Sequence, residues 1–221
     1  MYCSKHVTYR RRLPHKHYYG ATFSITWRLY GSLPKSAVKQ LKAKRDQEIA
    51  DLKFRGLTPW QMSACKDFID AEYYLALDDL LDRIQSGPMW LKEPEIAGIV
   101  IDQLRKYDGI YYQLDTYCIM SNHVHALLDF SIQMPDNENY FDERGYVNVD
   151  KVMKLVKGAS SYLSNKALGR KGTYWEPESW DRYIRNERHY WNTRNYFMEN
   201  PVKARICKKR EDYPFSWERG L

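Results

Sequence analysis

The stretch Asn122-His123-Val124-His125-Ala126-Leu127-Leu128-Asp129-Phe130 constrains this chain most. It reads as a strand entered from a turn. Side chains alternate across a strand, so His123 and His125 face the same way while Val124, Ala126, Leu128 and Phe130 take the opposite, buried face. Two imidazoles side by side on a rigid strand suit a divalent metal, because neutral imidazole nitrogen ligates at roughly 2.0–2.2 Å. The same pair would serve equally as an ordinary hydrogen-bonded or surface pair, so the rest of the chain has to supply a further ligand, a nucleophile and a reason for the metal.

The elements on either side can be read from periodicity. Phe23-Ser24-Ile25-Thr26-Trp27-Arg28-Leu29 alternates with period two and reads as the first strand of a main sheet, ended by Gly31 to Pro34. Residues 36–86 read as a helical hairpin. Gly56 breaks it, Thr58-Pro59-Trp60-Gln61 restarts a capped helix, Tyr73, Leu77, Leu80, Leu81 and Ile84 form a stripe, and Gly87-Pro88 stop it. Glu93-Pro94-Glu95 opens a short helix carrying Ile96, Ile99, Val100 and Leu104. A strand is expected from Ile110 to Cys118, with Ile110, Tyr112, Leu114, Thr116 and Cys118 on one side. Met120-Ser121-Asn122 then turns it into the histidine strand as an antiparallel hairpin. Residues 131–147 read as an acidic surface loop. A helix over 148–166 should pack Val152, Leu155, Val156, Ala159 and Leu163 inward, and 174–184 should be irregular with one short strand.

Charge and aromatic content narrow the partner. The 221 residues carry a net charge of +7 and are 15% aromatic, with 19 Tyr, 7 Trp and 7 Phe. Positive charge favours an anionic partner, and base faces stack on aromatic rings, so the combination leans toward nucleic acid, single strands above all. An aromatic core under a solvated basic face would give the same composition. Two basic features are candidates for DNA contact. One is Arg10-Arg11-Arg12 in a basic N-terminal arm over residues 1–20. The other is Lys154 and Lys157 on the helix over 148–166, whose lysine row would also serve as a plain solvated face. Cys3, Cys65, Cys118 and Cys207 are scattered without a CxxC pair or zinc-finger spacing; Cys3 with His6 has ligand-like spacing, but no second pair follows. No apolar run approaches the ~20 residues of a membrane span, and the N-terminus lacks a signal peptide's apolar core. The expectation is a reduced, cytoplasmic, nucleoid-associated protein with no membrane partner.

The last helix is expected from about Glu187 to Asn200, stopping at Pro201 because the residue before proline disfavours helix. Tyr190, Trp191, Phe197 and Met198 share an apolar side, and His189, Asn192, Tyr196 and Asn200 the other. Tyr196 and Asn200, four apart, stand one above the other on that polar face. A phenol and an amide displayed together are what a metal-assisted tyrosine nucleophile needs. A surface tyrosine with a capping asparagine would look the same.

Two segments together are more specific. Tyr117-Cys118-Ile119-Met120-Ser121-Asn122-His123-Val124-His125, followed by Tyr196-Phe197-Met198-Glu199-Asn200-Pro201-Val202-Lys203-Ala204, resembles the REP-associated tyrosine transposases of the single-tyrosine HUH superfamily. Phe23 to Pro34, Tyr174-Trp175-Glu176, Tyr183-Ile184-Arg185-Asn186 and Asp212-Tyr213-Pro214-Phe215-Ser216 are similar to that family too. Ser121 departs from the proline common at that turn.

The resemblance implies an α+β, ferredoxin-like fold: a central antiparallel sheet with helices packed on one face, here with an inserted helical hairpin. It implies a single HUH transposase domain over 1–221, with 36–86 the insertion and 1–20 the arm. It implies His123, His125 and Asn200 as ligands of a divalent metal, Mg²⁺ or Mn²⁺, and Tyr196 as the nucleophile that forms a 5′-phosphotyrosine. The implied substrate is single-stranded or hairpin DNA of repetitive palindromes, cleaved and rejoined in transposition, with a homodimer left open. The rivals are a non-catalytic hairpin-binding regulator, a metallohydrolase in which Tyr196 only binds substrate, and a relaxase-type nickase.

Overall fold

The computed structural model describes residues 6–10, 14–84, 86–137 and 140–220, with 6–10 and 14–17 as backbone only. The chain divides into two units, Met1–Tyr30 with Met89–Leu221, and Gly31–Pro88.

The first unit is an α+β sandwich around one antiparallel sheet. A hairpin of β1 (His6–Arg10) and β2 (Pro14–Tyr18) stands outside that sheet. The sheet contains β3 (Thr22–Arg28), β4 (Gln113–Ile119), β5 (His123–Asp129), β6 (Trp180–Tyr183) and β7 (Ser216–Glu218) in the spatial order β6-β3-β5-β4-β7, with every neighbour antiparallel. α3 (Pro94–Arg105) connects β3 to β4 beyond the second unit, and α4 (Val149–Ala167) connects β5 to β6. The core is therefore a β-α-β-β-α-β arrangement, which is the ferredoxin-like topology. α5 (Glu187–Lys203) follows β6.

Alternation on the strands gives the sheet two faces. Phe23, Ile25 and Trp27 of β3 join Val124, Ala126 and Leu128 of β5 in the main core, closed by Ile96, Val100 and Leu104 of α3 and Val149, Val152, Met153 and Val156 of α4. The opposite face carries His123, His125 and Leu127, and α5 packs on it through Phe197. Helices thus lie on both faces, not on one as expected. That explains the near-continuous burial along β5, which is covered on both sides.

Other local expectations shift for identifiable reasons. The register between β4 and β5 slips between Leu114 and Thr116, leaving Asp115 as a bulge. Leu114 consequently belongs to the core face while Thr116 and Cys118 turn to the α5 face. Ile110 lies in a turn and is 59% exposed. On α4 the inward positions are Val149, Val152, Met153, Val156, Ser160 and Ser164, so Leu155 and Leu163 face outward. α5 does not stop before Pro201 but runs one turn further, to Lys203. Its end is closed by Ala204, Arg205 and Ile206, whose amides donate to the carbonyls of Asn200, Val202 and Pro201. Within the N-terminal segment, expected to be an arm or loop, residues 6–10 and 14–18 pair as the antiparallel strands β1 and β2. Strand formers at Val7, Thr8 and Tyr9 outweigh the basic composition.

The second unit is built on α1 (Lys35–Asp51) and α2 (Pro59–Arg83). Thr58 caps α2 in a reciprocal box with Gln61. The two helices are tied by Arg45, whose Nε donates to Asp70 at 2.5 Å. No helix among the described residues is long and apolar enough to cross a membrane.

Candidate functional site

The α5 face of the sheet brings four of the sequence candidates together. His123 and His125 stand on β5 with their Nε2 atoms 2.9 Å apart. Asn200 reaches down from α5 and places its amide nitrogen 2.8 Å from Nε2 of His125. Both histidines and Asn200 are fully buried. Asn200 therefore lies on the inward side of α5 with Phe197, not on an outer polar face. Tyr196, one residue before Phe197, is partly buried with its ring centroid 6.1 Å from that of His125. Phe197 stacks on the His125 ring at 4.6 Å and fixes its plane.

Each imidazole is also held from behind. Nδ1 of His123 meets Oδ1 of Asn122 at 2.7 Å, and Nδ1 of His125 meets Oγ1 of Thr26 at 2.8 Å. An amide oxygen only accepts, so His123 carries its proton on Nδ1 and its Nε2 lone pair is directed forward. Burial pushes the His123 imidazole down to about 3, and burial, then His123, then Lys203 hold His125 well below the usual histidine range. Both rings are neutral at physiological pH, the form that ligates metals. Sequence reasoning missed Thr26 and Asn122 as partners. Asn122 stands beside His123 in the motif, whereas Thr26 is identified only by the register Thr26↔His125.

The residues fit a divalent cation. Two ligands at right angles, each ~2.1 Å from an ion, stand ~3.0 Å apart, close to the separations between the two Nε2 atoms and between His125 and Asn200. The oxygen of Asn200 is buried and meets no hydrogen-bond donor among the described residues. No group of three His, Cys, Asp or Glu converges among those residues, so a third protein ligand beside the two imidazoles would have to be the amide. Lys203, two turns beyond Tyr196, sets its ammonium 4.1 Å from the centroid of the tyrosine ring.

Of the DNA-contact candidates, Lys154 and Lys157 stand on α4, the helix that packs on the core face of the sheet. Arg11 and Arg12 fall outside the described residues, and Arg10 ends β1. Lys154 is exposed and pairs with Asp150 at 2.7 Å. Lys157 donates to the carbonyls of Glu176 and Pro177 and to Ser179 Oγ, so it ties α4 to the loop before β6.

Fold and site together define a class: an α+β protein with a ferredoxin-like sheet that presents a buried histidine pair beneath a helix bearing a tyrosine and an asparagine. Comparison with known proteins gives a particular relative. Over 109 residues the chain is 28% identical to a Haemophilus influenzae protein provisionally named a REP-associated tyrosine transposase, and the match covers 48% of this chain and 60% of that relative. The chain thus spans about three fifths of that relative's length, and the resemblance read from the motifs is borne out there. A solved structure described as a REP-associated tyrosine transposase bound to a REP hairpin is similar at 17% identity, covering 94% of this chain and 80% of that chain with a TM-score of 0.45. No protein-family model matches the chain.

Proposed function

We propose that this protein is a metal-dependent single-stranded DNA endonuclease and strand transferase acting on hairpins of repetitive palindromes. In this reading the chain is one transposase domain, with 36–86 a helical insertion. The observation that carries it is the convergence of His123, His125 and Asn200 beside Tyr196. Similarity to a relative named for tyrosine transposition supports it.

His123, His125 and Asn200 would hold Mg²⁺ or Mn²⁺, which when bound polarises a phosphate and offsets its developing charge. The chain's own residues do the rest. Asn122 and Thr26 orient the imidazoles, and Phe197 fixes the His125 ring and closes it from water. Tyr196 attacks phosphorus through its hydroxyl oxygen. The P–O3′ bond breaks, the leaving oxygen takes up a proton as a free 3′-OH, and the phenolic proton is released. The strand remains as a 5′-phosphotyrosine. Lys203 supplies positive charge beside the ring as the phenol loses its proton. Attack by a 3′-OH on the phosphotyrosine reverses the step and rejoins DNA without ATP.

The test is incubation of wild type and Tyr196→Phe with labelled hairpin DNA and Mn²⁺ or Mg²⁺, resolved on a denaturing gel. A covalent protein–DNA band with wild type and metal alone is the expected result. Binding without cleavage by either protein identifies a regulator, and cleavage by both without an adduct identifies a hydrolase.

A further inference from the structure

We propose that the α1–α2 hairpin is a dimerisation module, which packs on the same hairpin of a second copy of this chain to complete an antiparallel four-helix bundle. The hairpin lies in the second unit, and its pairing is independent of the activity proposed above.

The hairpin encloses little by itself. α1 is 17 residues long and buries one of them, Arg45. Among the described residues of 31–88, the buried apolar side chains are Leu33, Leu52, Leu77 and Leu81, while Phe54, Trp60, Phe68 and Leu75 are exposed. A unit this small with so slight a core is ordinarily completed by association. Between the two helices runs an open groove of about 630 Å³, walled by Leu41 and Glu48 of α1 and by Phe68, Ile69, Glu72 and Ala76 of α2. These positions recur at steps of three, four and seven residues, the spacing with which helices offer a seam to further helices. Phe68 at the groove is 66% exposed, and Leu75, two turns on, carries the same stripe outward.

Charge identifies the occupant. Residues 31–88 hold nine Lys or Arg and nine Asp or Glu, so the unit is neutral while the whole chain carries +7. A neutral unit exerts no net pull on a polyanion, and neutrality favours association. The charges are also segregated. Lys35, Lys39, Lys42, Lys44 and Arg45 occur over 35–45 without an acid, and Asp70, Glu72, Asp78, Asp79 and Asp82 over 70–82 without a base. The Arg45–Asp70 pair sets the level of the two antiparallel helices. Equal rise along both then puts residues 35–42 level with 73–80. Lys35, Lys39, Lys42 and Glu72 nevertheless make no ion pair among the described residues, and Lys44 and Asp79 pair along their own helices with Glu48 and Arg83.

A two-fold axis parallel to the helices keeps every residue at its level. It seats each α1 between its own α2 and that of the other copy, antiparallel to both, in the up-down-up-down order of a four-helix bundle. Lys35, Lys39 and Lys42 then face Glu72 and Asp79 of the partner subunit, and Phe68 is covered in both copies. Each contact occurs twice, so the hairpin is its own complement, as an isologous interface requires.

Sedimentation velocity of the full chain over a range of concentrations, in EDTA and without DNA, reads the oligomer. Wild type should form a dimer. Phe68→Ala should weaken it by roughly 30-fold or more with far-UV circular dichroism unchanged. Two charge-reversed variants test the pairing itself. One carries Lys35→Glu, Lys39→Glu and Lys42→Glu, and the other Glu72→Lys and Asp79→Lys. Each alone sets like charges against each other across the two-fold axis and should be monomeric. Mixed in equal amounts they should dimerise, because every α1 then faces an α2 of opposite charge, and the recovery also reports that both are folded. A wild type that is monomeric at every concentration overturns the module, as does a dimer undiminished in Phe68→Ala or a pair of variants that does not associate on mixing. A monomer that binds added single-stranded DNA through Lys35, Lys39 and Lys42, with binding lost in the first variant, makes nucleic acid the occupant and overturns it as well.

Discussion

The side-chain nitrogen of Asn200 stands 2.8 Å from Nε2 of His125, while its oxygen, equally buried, meets no donor among the described residues. An unsatisfied buried acceptor costs about 1–3 kcal/mol, and a half-turn of the amide would present that oxygen to the same focus as the two imidazoles. A bound cation would satisfy the oxygen and relieve the crowding of the Nε2 lone pairs. Mn²⁺ at a hundredfold excess over its Kd should therefore stabilise the protein by about 2.7 kcal/mol, a rise in Tm of roughly 5–10 °C for a chain of this size. EDTA should reverse it. In Asn200→Ala most of the shift should vanish, and an undiminished shift would remove Asn200 from the ligand set.

Thr26 and Asn122 act behind the imidazoles. With Thr26→Val the Nδ1 of His125 loses its 2.8 Å partner at nearly unchanged volume. Partners of this kind are worth about 10- to 100-fold in metal affinity, and calorimetric titration with Mn²⁺ should show a loss in that range. Thr26→Ser, which keeps the hydroxyl, should bind like wild type. If both variants lose affinity equally, the effect is one of packing and not of the hydrogen bond.

The grouping of the motif residues was legible because their spacing is local. His123 and His125 are two apart on one strand, Tyr196 and Asn200 four apart on one helix, and the strand alternation of 23–29 and 123–129 is plain. What could not be read depends on contacts between distant segments. Nothing in the sequence near Thr26 states that it sits opposite His125. The bulge at Asp115 reverses the faces of β4 halfway along, so Leu114 and Cys118 part company although their spacing is even. The burial of Asn200 follows from α5 lying on the second face of the sheet, and that placement brings Phe197 and Asn200 down onto His125.

Asp115, the bulged residue, gives a pH signature. Burial, and then the charge of Asp129, raise its carboxyl to about 6, against the opposing effects of Tyr190, Arg194 and Arg219. The folded state therefore holds this proton more tightly than the unfolded chain. The associated stability is fully present below the ordinary value of 3.8 and is lost as pH rises through about 6. The loss amounts to about 3 kcal/mol. Asp115→Asn stays neutral throughout, so its advantage over wild type in urea unfolding should be near zero at acid pH and grow through this window to a plateau. A difference that does not change with pH would contradict the assignment.

The interior of α4 offers a test that separates packing from pattern. Periodicity placed Leu155 and Leu163 inward, yet both are more than a third exposed and Ser160 is completely buried. The reason is Trp175, whose indole nitrogen donates to Ser160 Oγ at 3.0 Å while that hydroxyl donates to the Val156 carbonyl at 2.6 Å. A small polar residue is required there because the indole occupies the space and needs an acceptor. Ser160→Ala removes the acceptor and leaves the Trp175 N–H buried without a partner, at a cost of about 1–3 kcal/mol. Leu155→Ala, on the outward side, should cost less because its side chain gives up little burial. Urea denaturation of the two variants should rank the serine as the more damaging loss. The opposite order would mean that α4 is rotated about its axis, with its leucines toward the sheet.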